Sequence, residues 1–226
     1  MLDRHLLSEM LPYYAFDKES ETYVLSHGIG IVFECTQVWG GTTTVDALKG
    51  LFYQNFPTGT SIQIMVYASP TVKYMMDAYV HLRENLCTKP ALLEAARRKR
   101  DFVVKGSKES MLKGYDYRAR NFRHIVSVVV PCQDTPEGYS VGIKTATRIK
   151  PTIYQALNTA HLNPREMQPS KFLTILSEIL NPGHNHDEMQ HYDERSVLRD
   201  QIVYAENEVS VGKDHLVLDG KYLRNF

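Results

Sequence analysis

The sequence predicts an α+β fold, a ferredoxin-like βαβ-type sheet with crossover helices, and four observations carry that prediction. Tyr23–Ser26 and Ile29–Thr36 are two short apolar runs separated by His27-Gly28, a turn-forming pair that reads as a β-hairpin. Val45, Leu48, Leu51, Phe52 and Phe56 then recur at helical spacing between Gly40-Gly41 and Pro57-Thr58-Gly59. Ser61–Ala68 alternates again, with Ile62, Ile64 and Val66 on one face, which completes a ββαβ unit. Finally Asn121–Pro131 is a nearly continuous apolar run, the pattern of a strand buried on both faces in the middle of a sheet.

The remaining elements follow in order. Leu2, Leu6, Leu7 and Met10 make a short amphipathic helix that stops before Pro12; its mixed charges favour docking on the core over lying on a membrane. Ser69-Pro70 opens a helix with Val72, Met75, Met76, Tyr79, Val80 and Leu86 on one side, read as core filling. Pro90 opens another, whose outer face carries Arg97, Arg98, Lys99 and Arg100. Lys105–Arg120 reads as a connector. After the turn-rich Gln133–Gly138, Ile149, Ile153, Ala156, Leu157 and Ala160 hold helical spacing, with Pro151 as a start or a kink. Pro169 opens a helix that Asn181-Pro182-Gly183 stops.

Gly183–Arg195 is polar and His-rich and reads as a flexible loop, and Val209–Leu223 as a β meander. Residues 1–132 are thus an expected sheet domain. Residues 133–226 form an appended helical subdomain whose terminal strands return to the sheet, or the two make one continuous domain.

Composition narrows the function classes. Lys+Arg and Asp+Glu are equal at 26 each, so no global field attracts nucleic acid or an anionic membrane. Cys35, Cys87 and Cys132 lack a C-x-x-C pair, which suits reduced thiols rather than a disulfide framework. No apolar run approaches the roughly 20 residues that span a bilayer. The opening Met-Leu-Asp-Arg-His-Leu-Leu reads as neither signal peptide nor anchor, so any work at a membrane requires partners to hold the chain there.

Chemistry-bearing patterns are sparse. A phosphate loop, G-x-x-x-x-G-K-[ST], cradles phosphates on backbone N–H groups and holds Mg²⁺ by a hydroxyl. Here the Gly-Lys pairs are Gly212-Lys213-Asp214 and Gly220-Lys221-Tyr222, neither followed by Ser or Thr. No Ser stands in G-x-S-x-G. His184, His186 and His191, with Asp187, Glu188 and Asp193, are weak zinc candidates whose spacing matches no metal signature. No catalytic, cofactor or metal residue is therefore assigned. Tyr13, Tyr14 and Trp39 are the aromatics suited to a protein partner, and Arg97, Arg98, Lys99 and Arg100 the basic run suited to a charged one. A small metal-dependent hydrolase built on the His cluster is one alternative reading. A nucleic-acid module built on the basic run is another, although no aromatics interleave it to stack on bases.

Several of these segments also carry a resemblance. Leu11-Pro12-Tyr13 followed by Asp17, Tyr23-Val24-Leu25, Gly28–Glu34 and Val45–Leu48 come in sequence before Pro57-Thr58-Gly59-Thr60 and Ile62-Gln63-Ile64. Their order and spacing resemble the N-terminal region of the TraC proteins, the VirB4-type ATPases of F-like conjugative type IV secretion systems. The likeness continues more weakly through Asn121–Val130 and Leu162–Pro182. It implies a non-catalytic docking and assembly domain that precedes a motor domain, with ATP and Mg²⁺ handled only by that missing motor. It further implies peripheral association with the bacterial inner membrane from the cytoplasmic side. The implied partners are a VirB3-like small membrane protein, core subunits and neighbouring copies in a ring, with no direct nucleic-acid contact.

Overall fold

The computed structural model describes residues 7–37, 42–86, 89–182, 184, 186–204, 207, 209–212, 215–218 and 220–224. Trp39 and Cys87 lie outside them. Strand β3 (Gly28–Cys35) is the spine of the main sheet, because its apolar residues are buried on both faces. It runs antiparallel to β5 (Asn121–Pro131) along its whole length, from Gly28 opposite Pro131 to Cys35 opposite His124. The other edge of β3 is shared. β2 (Thr22–Leu25) takes its first half, and the two-residue β6 (Arg165–Glu166) its second. β1 (Tyr13–Asp17) lies beyond β2, and β4 (Ser61–Ser69) beyond β5.

Helix α1 (Thr42–Phe52) joins β3 to β4, and α4 (Pro136–Thr159) joins β5 to β6. The chain order β3-α1-β4-β5-α4-β6 with the sheet order β6-β3-β5-β4 is the ferredoxin-like arrangement the sequence predicts. To it are added the β1–β2 hairpin and, between β4 and β5 in the chain, helices α2 (Lys73–Leu86) and α3 (Pro90–Lys108). The β2–β3 turn is Ser26-His27, since Leu25 pairs with Gly28. A Cβ on Gly28 would stand 2.5 Å from the Val130 carbonyl oxygen, so only glycine permits β5 to approach there.

One face of the sheet forms the core. Ile29, Ile31, Phe33 and Cys35 pack with Val126, Val128 and Val130 beneath Leu51 of α1 and Ala146, Ile149, Ile153 and Leu157 of α4. Not all of the α1 stripe is used: Leu48, Leu51 and Phe56 turn inward, whereas Val45 and Phe52 are exposed. Thr135 caps α4 by accepting from Gly138 N at 3.0 Å, with Pro136 in the first turn. The helix then runs through Pro151 without ending. Its apolar stripe belongs to the sheet core, so α4 is an integral layer and not part of an appended subdomain.

Two compact units divide the chain: residues 1–65 with 124–184 and 189–226, and residues 66–123 with 185–188. The boundary expected at 132/133 is displaced because α4 completes the core begun by β3. In the first unit, α5 (Pro169–Leu180) buries Phe172, Leu173 and Ile175. β7 (Val209–Val211), β8 (His215–Leu218) and β9 (Lys221–Arg224) form a separate three-stranded antiparallel meander. They do not return to the main sheet, since short hairpins close at less entropic cost than distant pairings. Of the predicted N-terminal helix, the described part is a single 3-10 turn, Leu7–Met10, with no buried residue. In the second unit, α2 and α3 form an antiparallel hairpin, and α3 extends through Lys108 into the expected connector.

Candidate functional site

The sheet face opposite the core is only partly covered. There β3 contributes Gly30 and Val32, β5 contributes Ile125, Ser127 and Val129, and β4 contributes Ser61, Gln63 and Met65. Facing them are Phe172, Ile175 and Leu176 of α5, with Tyr13, Tyr23, Leu25 and His27 also in the lining. The result is a groove of about 370 Å³. Its polar lining is Ser61, Gln63, Ser127 and His27, and among the described residues no carboxylate, Lys or Arg lines it. Such a lining suits contact by shape and apolar area.

Aromatic packing fixes this site. Tyr23 stacks on Phe172 at 4.4 Å between ring centroids, and Tyr13 meets the same ring edge-on at 5.1 Å. The Tyr23 hydroxyl donates to the Met167 carbonyl oxygen at 2.7 Å, and burial pushes the Tyr23 and Tyr13 hydroxyls above the usual phenol range. Of the partner-binding candidates, Tyr13 therefore lines the groove. Tyr14 instead lies under the Arg199 guanidinium, 5.6 Å from its ring centroid.

The basic run is placed differently. Arg97 pairs with Glu84 at 2.9 Å, Arg98 with Glu94 at 3.0 Å, and Arg100 with Asp77 at 3.6 Å, while the Lys99 ammonium lies 5.1 Å from the Tyr79 ring. Each of the four has a partner within the hairpin, so the run presents far less net charge than its sequence suggests.

The His candidates also have local roles. His184 bonds Asn207 at 3.0 Å and meets the Tyr204 ring edge-on, and His191 is exposed. His186 is half-buried in the other unit. Among the described residues no three metal-capable side chains converge.

What sequence reasoning missed is the strap after α5. The polar stripe Ser170, Thr174, Ser177 and Asn181 takes up residues 190–204, which were expected to start as a flexible loop. Thr174 Oγ1 accepts from Gln190 N at 2.9 Å, Ser170 Oγ from Tyr192 N at 3.2 Å, and Ser177 Oγ from Gln190 Nε2 at 2.7 Å. Buried Asn181 donates to Ser177 O at 2.8 Å and to Ile202 O at 2.7 Å, and accepts from Tyr204 N at 2.9 Å. The spacing of these four residues at 4, 3 and 4 opposite an apolar stripe was the available signal.

Two titratable sites resemble catalytic groups without forming one. Lys150 reaches across from α4 to pair with Glu166 and Glu21 and donates to Ser20 O at 2.9 Å. Burial, then a hydrogen bond to Glu21, raises the Glu166 pKa against the pull of Lys150; the same bond lowers that of Glu21. These bonds staple the β1–β2 turn to α4 and β6.

Cys35 is buried in the core, which pushes its thiol up to about 11, with Glu34 adding to the effect. A raised folded-state pKa means the neutral thiol stabilises the fold at neutral pH, a contribution lost as the pH rises through about 11. Iodoacetamide at mildly alkaline pH is expected to label native Cys35 at least about 100-fold more slowly than the unfolded chain. Equal rates, followed by peptide mapping, would contradict a buried thiol.

Comparison with known proteins adds identity to this geometry. A family model described as TraC protein matches residues 7–225. No curated protein and no solved structure matches. Among the described residues no helix is long and apolar enough to cross a membrane. The match runs from the 3-10 turn through every strand and helix to the end of the meander, and the chain accordingly belongs to the TraC protein family of conjugative transfer and type IV secretion.

Proposed function

We propose that this chain is a non-catalytic docking and assembly domain of a VirB4-type secretion ATPase, engaged in conjugation and pilus assembly. The family match over residues 7–225 carries the reading. Two further features support it. The sequence offers no G-x-x-x-x-G-K-[ST] loop, so ATP and Mg²⁺ fall to a motor domain elsewhere in the protein. The groove beside α5 is apolar and free of Lys, Arg, Asp and Glu, which suits an apolar segment of a protein partner. On this reading the domain sits against the cytoplasmic side of the inner membrane by holding a small VirB3-like component, and meets core subunits and neighbouring copies.

Vesicle flotation tests it. The chain is expected to float with vesicles carrying the small inner-membrane component and not with lipid alone. Val129→Asp, placing a charge in the groove, is expected to weaken capture at least about tenfold. Absence of capture, or ATP turnover by this chain alone, would overturn the proposal.

A further inference from the structure

The α2–α3 hairpin has two unlike sides. One is laced by the ion pairs Arg97–Glu84 and Arg100–Asp77, while Met76, Val80 and Ala96 are buried. The other side is open and largely apolar. On α2, Met75, Ala78, Leu82 and Leu86 follow at spacings of 3, 4 and 4; on α3, Leu92, Ala95, Lys99 and Phe102 follow at 3, 4 and 3. Helical rotation of 100° per residue puts both rows on the same side of an antiparallel pair. Every one of these residues is exposed, the five large apolar ones between 41% and 80%.

This spacing is a helix-packing seam, with small residues set between large ones. A broad membrane-surface face would carry free basic residues at its edge. Here Arg98 is tied to Glu94 and Lys105 to Glu109.

The geometry points to a second copy of this chain as the occupant. The cross-helix contacts Glu84 to Arg97, Tyr79 to Lys99 and Asp77 to Arg100 set the level of one helix against the other. They put Leu82 level with Ala95, Ala78 with Lys99, Met75 with Phe102 and Leu86 with Leu92. A two-fold axis parallel to the helices then lays α2 of one copy on α3 of the other, as in a four-helix bundle. Leu82 meets the small Ala95 of the other copy, and the Lys99 stem meets its Ala78. At these two levels a large or long side chain faces alanine, while Met75 meets Phe102 and Leu86 meets Leu92 as apolar pairs, so each row complements its partner as an isologous interface requires.

The five large side chains expose on the order of 500 Å² of apolar area, near the upper end of what monomers leave open. That is much of the roughly 800 Å² each partner contributes to a stable complex. The inference deepens the assembly reading by naming the surface where copies meet. Self-association is measured without the membrane component, so failure here is distinguishable from failure of docking.

Sedimentation velocity on the 226-residue chain, from micromolar to hundreds of micromolar, tests it. A reversible dimer is expected, weakened at least about tenfold by Leu82→Glu and separately by Phe102→Glu. Leu112→Glu, at an exposed position outside the seam, is expected to leave it unchanged. In a Cys87→Ser background, mixing a Leu82→Cys chain with an Ala95→Cys chain is expected to give a disulfide-linked dimer. A monomer at every concentration, or a dimer indifferent to both seam variants, would overturn the proposal. So would a monomer whose seam variants lose only vesicle or membrane-component binding, since another partner would then own the face.

Discussion

Phe33→Ala is expected to lower the unfolding free energy by about 4 kcal/mol, the range for truncating a large aromatic in a well-packed core. Phe33 is fully buried at the centre of β3, pairs with Val126 on one edge and Glu166 on the other, and lies 6.3 Å from the Tyr154 ring. Two elements therefore lose packing at once, β3 and α4. The surrounding strands are hydrogen-bonded on both edges and have little freedom to collapse into the space. Urea denaturation of the two proteins measures the difference. A loss below about 1.5 kcal/mol would mean that the site relaxes as a mobile edge would, and that β3 is not the spine described here.

Asn181→Ala is the second large effect, expected at about 3 kcal/mol from several orphaned partners rather than from a cavity. The substitution leaves the Ile202 carbonyl, the Tyr204 N–H and the Asn207 amide without the group they now bond. Asn181 is fully buried, so water does not replace it at its present place. Residues 190–204 are expected to detach before the sheet unfolds, giving protease cleavage within the strap at denaturant concentrations that leave the core intact. Cleavage and global unfolding that remain coincident in the variant would show that the strap is held by its apolar anchors, Leu198 and Ile202, instead.

How far the sequence disclosed all this depended on whether an element's contacts were local. β3 and β5 were legible because burial on both faces requires nearly continuous apolar runs. The first crossover of the ferredoxin-like connection was legible because α1 carries helical spacing between strands, whereas the α4 stripe was read as an appended subdomain. β6 was not: two residues, Arg165 and Glu166, hold no periodicity, and their strand character comes from the edge of β3 they meet. The strap was missed because its order comes from side chains on α5, not from its own composition. On α2, Met75 and Leu86 were read as core filling yet are exposed, since spacing tells that residues share a face but not what covers it. For the site, Tyr13 was singled out as an aromatic joining large area to a polar tip, while the groove around it depends on the sheet order that places β4 two strands away from β3.

The divided edge of β3 also bears on how the chain becomes folded as it is made. Its first half is paired by β2, the immediately preceding strand, through a two-residue turn, a contact available as soon as both emerge. Its other long edge waits for β5, and the stretch beside Phe33 and Glu34 waits longer still, for β6. A nascent chain that has released only the first hairpin therefore carries an apolar strand with open hydrogen-bonding positions, the form that invites pairing with a stranger. Completion belongs to distant segments, and non-local pairing of this kind slows folding, so β3 is the strand that most needs protection until Arg165 and Glu166 arrive.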